Sequence, residues 1–204
     1  MSEELARTGG QKRLAQLERR VEEARAAFDN ERFRDAIRVL APLAAEVPSA
    51  PSVRELLGLA YYRTGRWRLA AAELEAYRRL TGAVDQHPVL ADCYRALRRW
   101  RAVDELWDEL RAASPSAELV TEGRIVVAGS LADRGRLEEA IALMKAADRE
   151  PRRVLPHHLR AWYVLGDLYD RAGDTTSAGI YFGRIMRNDP TFADVPERLA
   201  GLGR

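Results

Sequence analysis

The sequence is short of cysteine, histidine, lysine and long apolar runs, and each shortage removes a class of protein. Its 204 residues hold one cysteine, Cys93, so no internal disulfide can staple the fold. No unbroken apolar stretch nears the ~18 residues of a spanning helix, and no membrane partner is expected. The opening MSEELARTGG lacks the basic-then-apolar pattern of a secretory leader, which points to a cytoplasmic chain. Neither sign of charge dominates: 33 Lys plus Arg against 31 Asp plus Glu leave +2, too even to announce a nucleic-acid binder. The three histidines fall at no metal-ligand spacing. His157 and His158 are adjacent and should face different ways on a helix, while His87 stands apart, so no metal is expected. Phosphate-loop, dinucleotide, nucleophile-elbow and zinc-protease patterns are all missing, so neither a cofactor nor an enzymatic activity is expected.

What is present is one motif written five times. The segment WYVLGDLYDRAGDTTSAGIYFGRIMRNDP places Trp162, Leu165, Gly166, Tyr169, Ala178, Phe182 and Pro190 at the spacing W-x2-L-G-x2-Y, A-x3-F, P. Leu57, Gly58, Tyr61, Gly65, Trp67, Ala70 and Leu74 repeat that register, and a 34-residue step back reaches Ala24, Phe33, Ala36, Leu40 and Pro48. Two looser copies run through Leu90, Ala91, Tyr94, Trp100, Val103 and Trp107, and through Val127, Ala128, Leu131, Gly135, Leu137, Ala140 and Met144. Each copy reads as two helices, with small residues where they approach and larger apolar residues three or four places away filling the space around that contact. Such a pair cannot cover its own apolar face, so the copies must stack. Cys93, beside Tyr94 and with no second cysteine or general base nearby, reads as a small buried residue.

From about Leu17 onward the sequence resembles the tetratricopeptide repeat family, and with 31 Arg to 2 Lys and 33 Ala it looks like a stand-alone actinobacterial member. The resemblance implies an all-α, right-handed solenoid of about five helix-turn-helix repeats, near 17–50, 51–84, 84–117, 121–154 and 159–192. A capping helix near 193–202 would close it. Residues 11–204 would form one domain behind a flexible tail at 1–10.

The resemblance also implies a protein-interaction scaffold whose first helices line a concave groove. Reading the side of each first helix opposite its packing face gives Leu56, Leu59, Tyr62 and Arg63, then Val89, Asp92 and Arg95. The fourth and fifth copies give Ile125, Val126, Tyr163, Val164 and Asp167. Val21, Phe28, Pro88 and Ala132 fall at equivalent positions. Leu56, Val89, Val126 and Val164 make an apolar row, the kind of stripe that marks either contact with a partner or packing on the next copy. The thirty positions read this way carry ten acids and five arginines, a surplus of five negative charges, which favours a basic, amphipathic protein or peptide segment of unknown identity. Self-association stays open. The basic clamp with which some family members hold a C-terminal carboxylate is missing, since Val21, Arg25, Leu56, Glu122 or Asp85, and Val89 or Val126 stand there. Eleven arginines, among them Arg32, Arg34, Arg63, Arg66, Arg68, Arg98, Arg134 and Arg136, gather in the helix-to-helix turns against five acids. Such an edge supports a second reading, contact with nucleic acid or another anionic surface.

Overall fold

The computed structural model describes residues 10–113 and 115–203. The tail expected at 1–10 lies outside the described residues except for Gly10. The described chain is helical, without strands, and divides into two compact units between Ala102 and Val103.

The first unit contains α1 (Gln11–Asp29), α2 (Phe33–Glu46), α3 (Pro51–Arg63), α4 (Trp67–Thr81) and α5 (His87–Ala96). Each packs on the next, and α3 also touches both α1 and α5, which places first helix beside first helix. The stripe on α1 is Leu17, Val21 and Ala24, at a spacing of four and then three, and all three are buried. Val21 is therefore core, not groove: it lies between Leu17 and Ala24 on the inward face. Pro51 starts α3 and Pro88 the first turn of α5, positions where a missing N–H costs nothing. Pro88 is buried, which removes it too from the groove, and α5 begins at His87, so its repeat opens later than the expected residue 84.

The second unit holds α7 (Ala117–Asp133), α8 (Leu137–Lys145), α9 (Pro156–Arg171), α10 (Thr175–Asn188) and α11 (Val195–Gly201), with most of α6 (Trp100–Ala113) before them. Side-chain caps start two of these helices: Ser116 Oγ accepts from the Leu119 N–H at 3.3 Å and Asp174 Oδ1 from the Ser177 N–H at 2.9 Å. The helix α8 spans only 9 residues, so the link from 146 to 155 is long, and this accounts for the wide fourth spacing. Ala132 is 7% exposed and belongs to the core, a third departure from the groove assignment. The closing helix forms as expected, with Val195 fully buried where α11 docks on α10.

One turn recurs five times and identifies the repeat in backbone terms. The N–H groups of Arg32, Arg66, Arg99, Arg136 and Asp174 donate to the carbonyls of Ala27, Tyr61, Tyr94, Leu131 and Tyr169, each at 2.8 to 2.9 Å. This six-to-one bond closes a helix when the residue before the donor is left-handed. Glycine supplies that conformation at Gly65, Gly135 and Gly173, while Glu31 (φ 57°) and Arg98 (φ 56°) adopt it with a side chain attached.

Close approach inside each pair depends on side chains that are not there. A Cβ on Gly58 would lie 2.8 Å from Leu74 Cδ2, and one on Gly166 would lie 2.6 Å from Phe182 Cε1. The glycines thus make room for the large residues expected to fill around the contact, and they meet these residues directly. Phe182 has little freedom to give way, because Tyr163 packs edge-on at 5.9 Å and the Arg198 guanidinium covers its ring at 5.0 Å. Gly166→Ala is expected to destabilise by about 1–3 kcal/mol, and more than Gly58→Ala, whose neighbour is a flexible leucine. Paired thermal melts check the order, and equal melting temperatures for the two variants would contradict it.

Candidate binding surface

The apolar row survives folding as half-buried side chains. In the first unit Leu56 and Leu59 on α3 and Val89 on α5 keep part of their surface, as do Ile125 and Val126 on α7 and Val164 on α9 in the second. None of these six joins the buried core. Each unit therefore presents an apolar strip along adjacent first helices.

The polar residues expected to face a partner are instead bound to one another across neighbouring first helices. Tyr62 on α3 donates its hydroxyl to Asp92 Oδ2 on α5 at 2.8 Å, and Arg95 Nε holds the other oxygen of Asp92 at 2.8 Å. Gln86 makes a second bridge to Glu55 at 2.8 Å. In the second unit Arg160 Nε reaches Glu122 at 2.6 Å, Tyr163 donates to Asp194 at 2.7 Å, and Arg198 on α11 joins Asp167 at 3.1 Å and Asp170 at 2.9 Å. Burial, then the Asp92 charge, raise the Tyr62 hydroxyl well above the usual phenol range. The Tyr163 hydroxyl is raised chiefly by its bond to Asp194. Both phenols therefore stay protonated and keep donating. Arg63 is exposed, paired with Glu31 at 3.2 Å and laid over the Phe33 ring at 4.3 Å. Arg95 and Arg160 are already among the five arginines counted on that surface, so of these partners Arg198 alone reduces the acidic surplus read from the sequence.

Ten of the eleven turn arginines are exposed, Arg134 being the half-buried one. Arg134 makes two bonds to Asp104, at 3.1 and 3.2 Å, and Arg136 grips Glu139. Arg32, Arg34, Arg68 and Arg98 meet no carboxylate among the described residues. In the first unit, Arg32, Arg34 and Arg63 line an open cleft of about 420 Å³ with Phe33, Thr64 and the acids Glu31 and Asp35.

The chemistry-bearing residues singled out in the sequence occupy structural places. Cys93 is fully buried, and burial followed by the Asp92 charge pushes its thiol up to about 12, far from a thiolate at neutral pH. His87 is the first residue of α5 and is buried. His157 and His158 do not diverge as expected: their rings approach to 4.0 Å between centroids, because His158 turns back to accept the Leu155 N–H at Nδ1. Among the described residues no three His, Cys, Asp or Glu side chains gather to hold a metal ion, and no helix is long and apolar enough to cross a membrane. Asp148, in the link after α8, went unnoticed in the sequence. It accepts from Trp162 Nε1 at 3.2 Å, Tyr181 Oη at 2.6 Å and Arg184 at 3.3 Å, partners up to 36 residues away.

Antiparallel helix pairs with a shared turn, a glycine or alanine at the crossing and a closing helix define a helical-repeat protein of the interaction-scaffold class. The chain belongs to the tetratricopeptide repeat family, whose model matches residues 21–88 and 128–191. Its fold is similar to a thermophilic tetratricopeptide protein of Thermus thermophilus, with a TM-score of 0.67 at 17% identity over 91% of this chain and 98% of that one. It is also similar to YrrB, a tetratricopeptide protein with an unusual peptide-binding site, with a TM-score of 0.57 at 18% identity over 87% and 89%. A third likeness is the apo quorum sensor NprR from B. thuringiensis, with a TM-score of 0.66 at 15% identity over 90% of this chain and 58% of that one. A search of curated protein sequences finds no match. Proteins of this family are in general non-enzymatic scaffolds for protein interactions.

The bridge from Tyr62 to Asp92 is the clearest tie between first helices of the first unit. Tyr62→Phe removes a hydrogen bond to a charged group and leaves the ring packed edge-on against Trp67, so a loss of about 1–2 kcal/mol is expected. Urea melts measure it, and an unchanged midpoint would mean that the bond adds nothing.

Proposed function

We propose that the protein is a non-enzymatic cytoplasmic adaptor that receives an amphipathic segment of a partner protein along the first helices of its repeats. The observation that carries this reading is the half-buried apolar strip formed by Leu56, Leu59 and Val89 in one unit and by Ile125, Val126 and Val164 in the other. A strip that folding leaves partly wet, edged by side chains already tied to one another, gains most from burial by an apolar partner face. A basic flank on that partner suits the acids in excess there, although Asp92, Asp167 and Asp170 already hold arginines of this chain. The peptide-binding site of a fold neighbour supports the same class of ligand.

Leu59→Glu combined with Val126→Glu should abolish partner capture and barely move the melting temperature, since both side chains stand outside the core. Gly58→Leu should do the reverse, loosening its pair by about 1–3 kcal/mol or more. If the double glutamate variant loses as much stability as Gly58→Leu, the strip is packing and the proposal falls.

A second reading rests on the exposed turn arginines that meet no carboxylate among the described residues, Arg32, Arg34, Arg68 and Arg98. These could meet phosphates of nucleic acid or another anionic surface. Binding of that kind should weaken steeply as salt rises, unlike burial of an apolar strip. Absence of any gel shift with DNA or RNA at low salt would remove it.

A further inference from the structure

The second unit contains a small pocket of about 40 Å³ between α7, the link after α8, and the start of α9. Its polar lining includes Arg124, Asp148, Arg149, His157 and His158, with Trp162 on its floor. None of the proposed partner-strip residues lines it. A water needs roughly 10–15 Å³ measured this way, so the space takes about three waters, the size of a small polyatomic head group.

Arg124 is the unusual member. It is half-buried, its guanidinium lies 5.6 Å from the centroid of the Trp107 ring, and it meets no carboxylate among the described residues. Arg111 sits over the same ring at 5.4 Å but has Asp108 at 2.6 Å. Burial and the nearby Arg111 both hold the Arg124 pKa below the ordinary guanidinium value, the mark of a charge with no counter-ion.

The other polar groups leave that charge unanswered. Asp148 is the one acid in the lining among the described residues, and its oxygens already take Trp162, Tyr181 and Arg184. Arg184 matches its charge. Arg124 and Arg149 then leave the pocket two positive charges in surplus, the histidines not counted. His158 accepts the Leu155 N–H at Nδ1, so its remaining ring proton is on Nε2, a donor. His157, 8% exposed, lies against it with the two rings tilted by 42°.

We infer that this pocket binds a small oxyanion, a phosphoryl or carboxylate group, with Arg124 as its principal ligand and the two histidines as neighbouring donors. A forked guanidinium suits two oxygens at once, and desolvation on one side by Trp107 strengthens the attraction. The inference does not depend on the partner strip, and Leu59→Glu in the other unit should leave anion binding unchanged.

The test is an NMR titration of the full chain with sodium phosphate, with sodium acetate and, as control, with sodium chloride at matched ionic strength, following the Trp162 indole N–H. A saturable shift with phosphate, acetate or both, absent with chloride, is expected, and whichever salt acts identifies the head group. Arg124→Gln should weaken binding about tenfold or more, and Arg124→Lys should retain part of it. Should Arg124→Gln fail to fold, the native chain still decides: the bound anion should raise the titration midpoint of the His158 imidazole relative to chloride, because it favours the charged ring. Shifts no larger than those with chloride, an Arg124→Gln variant that folds and binds like the native chain, or a His158 midpoint indifferent to phosphate and acetate would each overturn the inference.

Discussion

Everything in this molecule depends on letting two helices approach closely enough for one to seat a large apolar side chain against the backbone of the other. Gly58 receives Leu74 and Gly166 receives Phe182, each at a distance that a methyl group would forbid. Gly123 does the same for Leu110, whose Cδ2 would sit 2.3 Å from an added Cβ, with Trp107 alongside at 3.4 Å. Core packing of this density tolerates neither a void nor an added carbon. Ala24 with Ala36 and Ala128 with Ala140, all fully buried, keep the same economy of volume in two further helix pairs, and Ala70 and Ala178 add to it beside Leu74 and Phe182.

Once a pair is seated, its turn follows. The six-to-one bond that ends each first helix points the chain back along it, and the left-handed residue in that turn is glycine in three copies. Glu31 and Arg98 hold the same shape at a cost, since a side chain there crowds the following carbonyl. Sequence variation in the turns is thus absorbed by strain, while the packed contact beneath them keeps its residue types.

A second layer of order joins one pair to the next. Tyr62 with Asp92, Gln86 with Glu55, Arg160 with Glu122 and Tyr163 with Asp194 bind polar groups across neighbouring elements. Tyr62, Gln86 and Tyr163 are neutral donors that hold acids in place, and of these ties only Arg160 with Glu122 cancels a charge. Arg124 presents the opposite situation, a guanidinium over an indole that meets no acid among the described residues.

The helix pairs, their number and the closing helix were legible in the sequence, because the contact that defines a pair is made by residues four or fewer places apart on each helix and recurs at a near-constant interval. Gly166 before Phe182 and Gly58 before Leu74 are such signals. Gly123 was missed because it meets Trp107 and Leu110 of the preceding helix and falls outside the repeat register, where Ala128 occupied the expected small position. Val21, Pro88 and Ala132 were given to the surface because a fixed register cannot show that α1 turns Val21 inward, that α5 starts at His87 or that the end of α7 is covered. Which acids find arginines and why Asp148 gathers Trp162, Tyr181 and Arg184 are decided by side chains up to 38 residues apart. Local periodicity determines which residues form a helix and which face is apolar. Only the packed chain determines which polar groups meet, because that depends on distances between elements that no single helix contains.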